Sequence, residues 1–159
     1  MPVTITEQTI HTLEFLKEEE IAAPLDIVFE TILEEMGPRN EGRPGTPMPM
    51  RLEPWPGGRW FRDLGNDSGH WWGSVQSIKP PSLLEISGPL MMSHPAISNV
   101  MYRLTEENGI TRLKFSHRAI GYIAYDPQIP EQWKMVEMGW NSLLERIRTA
   151  SVKNVARTF

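Results

Sequence analysis

From Met50 to Ala119 the chain never runs far without a turn. Short β-type runs, "MRLEPW", "GRWFRDL", "GHWWGSVQSI", "LLEIS", "SNVMYRLTEE" and "ITRLKFSHRA", are punctuated by "PGG", "GNDSG", "KPPS" and "ENG". Connections this brief leave no room for the crossover that joins parallel strands, so the region predicts an antiparallel meander. Asn108-Gly109 supplies the residue pair that a two-residue hairpin loop prefers. In the last run Thr111, Leu113, Phe115 and His117 point one way while Arg112, Lys114, Ser116 and Arg118 point the other, which puts a histidine on the inner face of the sheet. Pro56-Gly57-Gly58 also belongs to this pattern. A phosphate-cradling glycine loop leads from a strand into a helix N-terminus, whereas this one leads from strand to strand and reads as a tight turn that places Trp60 at the next strand's start.

The flanking segments change the rhythm. "TIHTLEFLKEEEI" (9–21) is rich in β-formers, with Leu13 and Phe15 on one face, and predicts a first strand whose "KEEE" end is solvated. In "APLDIVFETILEEM" (23–36) Ile27, Val28, Thr31, Ile32 and Glu35 fall at helical spacing. Pro24 suits the first turn of that helix and Asp26 suits its dipole. The stretch 37–50 holds four prolines and three glycines, which breaks regular structure and makes a loop long enough to act as a lid. After "GYIAYDPQIP", an apolar stripe of Trp133, Val136, Trp140, Leu143, Leu144 and Ile147 predicts a long helix from Glu131 to about Ser151, with Lys and Arg gathered toward its end.

The elements therefore predict one α+β domain over 1–159, with a core from about 9 to 150, in which a curved antiparallel sheet wraps a long C-terminal α-helix and a short helical segment follows strand 1. That order, with "IAAPLDIVFE", "PGGRW", "GSVQSIKPPSLLEI", "GITRLKFSHRA" and "WKMVEMGWNSLLERI", resembles the START-like (SRPBCC) superfamily with the birch-pollen-allergen helix-grip fold. Within it the chain looks like the bacterial branch related to the activator of the heat-shock-protein-ninety ATPase. The Pro-rich loop at 37–50 and "MMSHPAI" (91–97) depart from the commoner pattern.

The resemblance implies an apolar cavity between sheet and long helix. Trp60, Trp72, Trp133 and Trp140 are then its walls, with Met91, Met92, Phe115, Val136 and Leu143 as lining and His117 as the polar group that orients a bound carbonyl or hydroxyl. Glu18, Glu20, Arg62 and Tyr102 are further polar groups that strand parity could aim inward. The ligand expected is an apolar or aromatic small molecule. Two other readings stand beside binding: an aromatase- or cyclase-like enzyme using the same cavity, and a chaperone-contacting module. A homodimer is compatible with either.

Composition narrows the classes further. A net charge of −4, with basic residues scattered along the chain, argues against nucleic acid as a partner. The absence of cysteine removes thiolate chemistry and fits a reducing, cytoplasmic setting. No apolar run approaches a membrane span, and the N-terminal residues lack signal-peptide character. The four histidines show no HExxH-type spacing and there is no GxSxG, so no metal, cofactor or catalytic constellation is expected.

Overall fold

Alternation in the last β-type run carries directly into three dimensions. In the computed structural model, which describes residues 1–7, 9–90, 95–122 and 131–158 with side chains of the last segment from 136 to 157, Thr111, Leu113, Phe115, His117 and Ala119 are all buried and their neighbours face outward. The elements are β1 (His11–Ile21), α1 (Leu25–Met36), β2 (Arg51–Leu52), β3 (Arg59–Gly65), β4 (Ser68–Lys79), β5 (Leu83–Gly88), β6 (Ala96–Glu107), β7 (Ile110–Gly121) and α2 (Glu131–Thr158). They form a seven-stranded sheet in the order β1-β7-β6-β5-β4-β3-β2, with every neighbour antiparallel. The first strand thus lies beside the last. Neither described helix is long and apolar enough to cross a membrane.

Cross-strand pairs on the outer face explain the acidic run of β1. Glu14 faces Arg118 at 2.7 Å, Glu20 faces Arg112 at 3.0 Å, and Glu18 faces Lys114 at 3.8 Å. Glu18 and Glu20 therefore do not project into the interior, because an acidic row opposite a basic row is matched on the solvated face. Each exposed pair contributes little, on the order of 0.2–1 kcal/mol.

Helix α1 is fastened at both ends by the sheet. Pro24 offers no capping side chain, and instead the Leu25 N–H donates to Glu106 Oε1 of β6 at 2.7 Å. At the other end Trp60 of β3 donates its indole N–H to the Met36 carbonyl at 2.8 Å, satisfying one of the orphan acceptors of the last turn. Between these points Val28, Phe29, Ile32 and Met36 are buried in the core that α1 shares with the sheet and α2. Helix α2 runs seven residues past the end expected from its apolar stripe (Thr158 against Ser151). Ser151 is buried, Val155 packs on the core, and Asn154 donates to Thr31 Oγ1 of α1 at 3.0 Å, so contact with α1 sustains the helix where the stripe gives out.

The Pro56-Gly57-Gly58 stretch is a turn between β2 and β3, with Leu52 paired to Trp60. Only Arg51 and Leu52 of the "MRLEPW" run form a strand. Gly57 takes φ +79°, the Gly58 N–H donates to the Trp55 carbonyl at 2.8 Å, and a Cβ on Gly58 would lie 1.9 Å from the Glu53 oxygen. Gly58→Ala is therefore expected to destabilise by about 3 kcal/mol or more through forced backbone movement, whereas Gly45→Ala, with φ +83° and open space around it, should cost only about 1 kcal/mol. Urea unfolding of the two variants checks the difference, and equal losses would show that the Gly58 contact is not limiting.

Candidate functional site

Three tryptophans and the flank of α2 leave a groove open between sheet, helix and the 37–50 loop. It has a volume of about 260 Å³, with Trp60 and Trp72 on the sheet side, Val136, Gly139, Trp140 and Leu143 on the helix side, Asn40, Glu41, Gly42 and Met48 on the loop side, and Arg146 at one end. Trp60 and Trp72 meet edge to face, ring centroids 5.0 Å apart at 85°. Such a pair is worth on the order of 1 kcal/mol beyond its area and holds both rings in one orientation.

Two of the indole N–H groups point away from the groove. Trp60 donates to Met36 O, as above, and Trp140 donates to His117 Nδ1 at 3.0 Å. Because indole nitrogen only donates, Nδ1 must accept, and the proton of the neutral imidazole sits on Nε2, which faces Ser98 Oγ at 2.9 Å. Both ring nitrogens are thus engaged inside the protein. Burial lowers the His117 pKa to about 4, and a second proton at Nδ1 would confront the Trp140 N–H with another donor.

Phe115 and His117, expected among the lining residues, are not part of this groove. Trp140 packs onto both, with centroids at 4.8 Å from Phe115 and 5.4 Å from His117, and so fills the space between helix and sheet at that point. Seen from this groove, both lie behind Trp140. Of the expected set, the structure brings Trp60, Trp72, Val136, Trp140 and Leu143 together around one groove. Met91 and Met92 fall outside the described residues, as does the side chain of Trp133. Tyr102 is fully buried in the core, where burial pushes its phenol above the ordinary range and its hydroxyl has no hydrogen-bond partner among the described residues. Half-buried Arg62 lies on β3 and is not part of the groove.

The polar end of the groove went unread in the sequence. Arg146 reaches three elements: Nε to Glu35 Oε2 of α1 at 3.3 Å, Nη1 to Glu41 Oε2 of the loop at 3.2 Å, and Nη1 to Ser142 Oγ of α2 at 2.8 Å. The Glu35 side chain is only 7 % exposed, and a buried carboxylate without a cation would be strongly unfavourable. Glu35 on the buried stripe of α1 was the available signal, since a carboxylate there demands a partner. The loop itself is ordered by Asn40, whose Nδ2 donates to the Met48 carbonyl at 3.0 Å while its own carbonyl accepts from the Met48 N–H at 2.8 Å. Among the described residues no group of three or more His, Asp or Glu side chains is placed to hold a metal.

A curved antiparallel sheet gripping a C-terminal helix, with a short helix after the first strand, is the START-like helix-grip architecture of the SRPBCC superfamily. Residues 22–151 match the family model described as activator of Hsp90 ATPase homolog 1-like protein, and the chain belongs to that family. Solved structures share the fold at low identity. A protein from Rhizobium leguminosarum superposes with a TM-score of 0.64 at 16 % identity, covering 89 % of this chain and 98 % of its own. The ZhuI aromatase/cyclase from Streptomyces sp. R1128 gives 0.62 at 16 %, covering 91 % and 96 %, and Ara h 8.0201 gives 0.62 at 12 %, covering 91 % and 99 %. Comparison with curated proteins gave no match.

Arg146→Met should destabilise by about 2–4 kcal/mol by stranding Glu35, and adding Glu35→Met should restore most of the loss. A double-mutant cycle in urea checks this, and additive losses would mean that the pair is not coupled. His117 gives a pH dependence of definite sign. Its folded pKa of about 4 lies below the unfolded value of about 6.5, so the unfolded chain takes up the proton first and stability falls as pH drops through that window, by up to about 3 kcal/mol. His117→Gln, which keeps a donor and an acceptor, should flatten the fall between pH 7 and 4.5; an unchanged slope would assign it to other groups.

Proposed function

We propose that the protein binds a small, uncharged apolar or aromatic molecule in the groove between Trp60, Trp72 and Trp140. The observation that carries this reading is the direction of the indole N–H groups of Trp60 and Trp140. With both engaged inside the protein, these two side chains present carbon surface to the groove, so affinity there comes from apolar burial at about 25 cal/mol per Å². The described ionisable groups of the lining, Glu41 and Arg146, are paired with each other, which favours a ligand without net charge. At about 260 Å³ the groove sits just below the roughly 300–1,000 Å³ of common ligand pockets, which suits a ligand of two or three fused rings or a short chain. Asn40 and Arg146, at the polar end, would set its direction.

Binding is a better reading than acid–base catalysis of the kind that the aromatase/cyclase neighbour's name denotes. His117 has both nitrogens engaged behind the wall, and Glu41 is ion-paired. The loop from 37 to 50 would then act as one wall of a binding site and not as a carrier of chemistry.

Gly139 offers a clean test. It lines the groove, and a Cβ placed there would meet none of the described residues within 4 Å, so a large side chain can be added without invading the described core. Replacing glycine within a helix also raises helix propensity by about 0.5–1 kcal/mol. The uncharged fluorophore N-phenyl-1-naphthylamine should bind wild type saturably at one site. Gly139→Trp should abolish that signal while the melting temperature holds or rises. Undiminished binding to a folded Gly139→Trp variant would place the ligand elsewhere.

A further inference from the structure

Arg146 has a second side. Beyond the groove, between the end of α1 and the C-terminal half of α2, lies a separate cleft of about 280 Å³ lined by Glu35, Arg39, Arg146, Thr149, Lys153 and Arg157, together with Ala150 and Asn154. Positions 146, 149, 153 and 157 recur at three- and four-residue intervals, which sets them on one face of α2, and Arg39 faces them from the turn that follows α1. The basic residues that look scattered along the sequence are therefore gathered here by the packing of the two helices. Four cationic side chains line this cleft with Glu35 as its one lining carboxylate, on a chain whose total charge is −4.

Local pairing does not use up this charge. Arg146 is matched by Glu35 and Glu41, and Arg39 has a long exposed contact of 3.7 Å with Glu34. Lys153 and Arg157 have no ion-pair partner among the described residues. A helix C-terminus favours cations only within its last turn, which accounts for Arg157 but not for Lys153 one turn earlier. Like charges at Lys153 and Arg157, four residues apart on a helix, repel by a few tenths of a kcal/mol unless an anion lies between them.

We propose that this cleft is a binding site for a small multivalent oxyanion, a phosphate monoester or pyrophosphate group. The charge left unmatched by ion pairs is that of Lys153 and Arg157, which the oxygens of one phosphate group would bridge. Guanidinium groups of Arg39 and Arg157 suit paired phosphate oxygens, the Lys153 ammonium acts as a point charge, and the Thr149 hydroxyl adds a neutral donor. The site shares only Arg146 with the groove, so its occupancy and that of the groove are read independently.

Isothermal titration with inorganic pyrophosphate at low ionic strength should show saturable one-site binding that weakens steeply with added salt. Lys153→Glu should weaken it about tenfold or more, while Arg148→Glu, which makes the same charge change on α2 outside the cleft, should leave it within about twofold. N-phenyl-1-naphthylamine binding measured on the same variants should be unchanged, which keeps failure of this site distinct from failure of the groove. Co-sedimentation with phosphatidic-acid vesicles, again sensitive to Lys153→Glu and not to Arg148→Glu, would identify a lipid headgroup as the source of the same phosphate chemistry. No saturable binding of either probe, equal losses in the two variants, or binding of an oligoglutamate peptide alone would overturn the proposal.

Discussion

The hydrogen bond from Trp140 to His117 is the contact on which the interior depends. It lets a large indole lie between α2 and the sheet without a buried unpaired N–H, and it fixes the tautomer that the histidine then presents to Ser98. Phe15 stacks on the same histidine at 5.9 Å and 28°, and Phe115 packs on the Trp140 ring at 4.8 Å. A small polar chain thus runs from helix through sheet in an otherwise apolar layer. Its low dielectric surroundings strengthen the bonds and make loss of any one of them expensive.

Trp60 follows the same logic at the other wall. Its N–H serves the end of α1, its ring meets Trp72, and one face remains for the groove. Positioning of the groove and capping of a helix are therefore one interaction viewed from two sides. Arg146 does the equivalent at the polar end, where it ties α1, α2 and the loop to a common point and contributes to both clefts.

Much of this architecture was legible because it is local. Alternation in β7, the Asn108-Gly109 turn, with φ +52° and +76°, and the period change at α1 each depend on neighbours a few residues apart. The tryptophan walls came from the family resemblance, and Trp60, Trp72 and Trp140 do meet around the groove. What was not legible depends on groups distant in sequence. Asn40, Glu41 and Met48 sit in a Pro-rich stretch with no period to read, and Arg146 acquires its role only when α1 and α2 pack. His117 was read correctly as inward-facing, but parity alone gives no hint that Trp140 would occupy the space in front of it. The basic cleft is hidden in the same way, since Arg39 and Lys153 become neighbours only through helix packing.

The two fastenings of α1 bear on how this protein acquires and loses structure. A helix of 12 residues, opened by a proline that contributes no cap of its own, would be marginal in water as an isolated segment. Its first N–H is satisfied by a glutamate of β6 and its last turn by a tryptophan of β3, on opposite sides of the sheet order. Helicity in α1 is thus conditional on a sheet that is already assembled from both directions. Any fluctuation that parts Trp60 from Met36 frees the end of the helix and one wall of the groove together, so fraying of this short helix and opening of the groove become one motion.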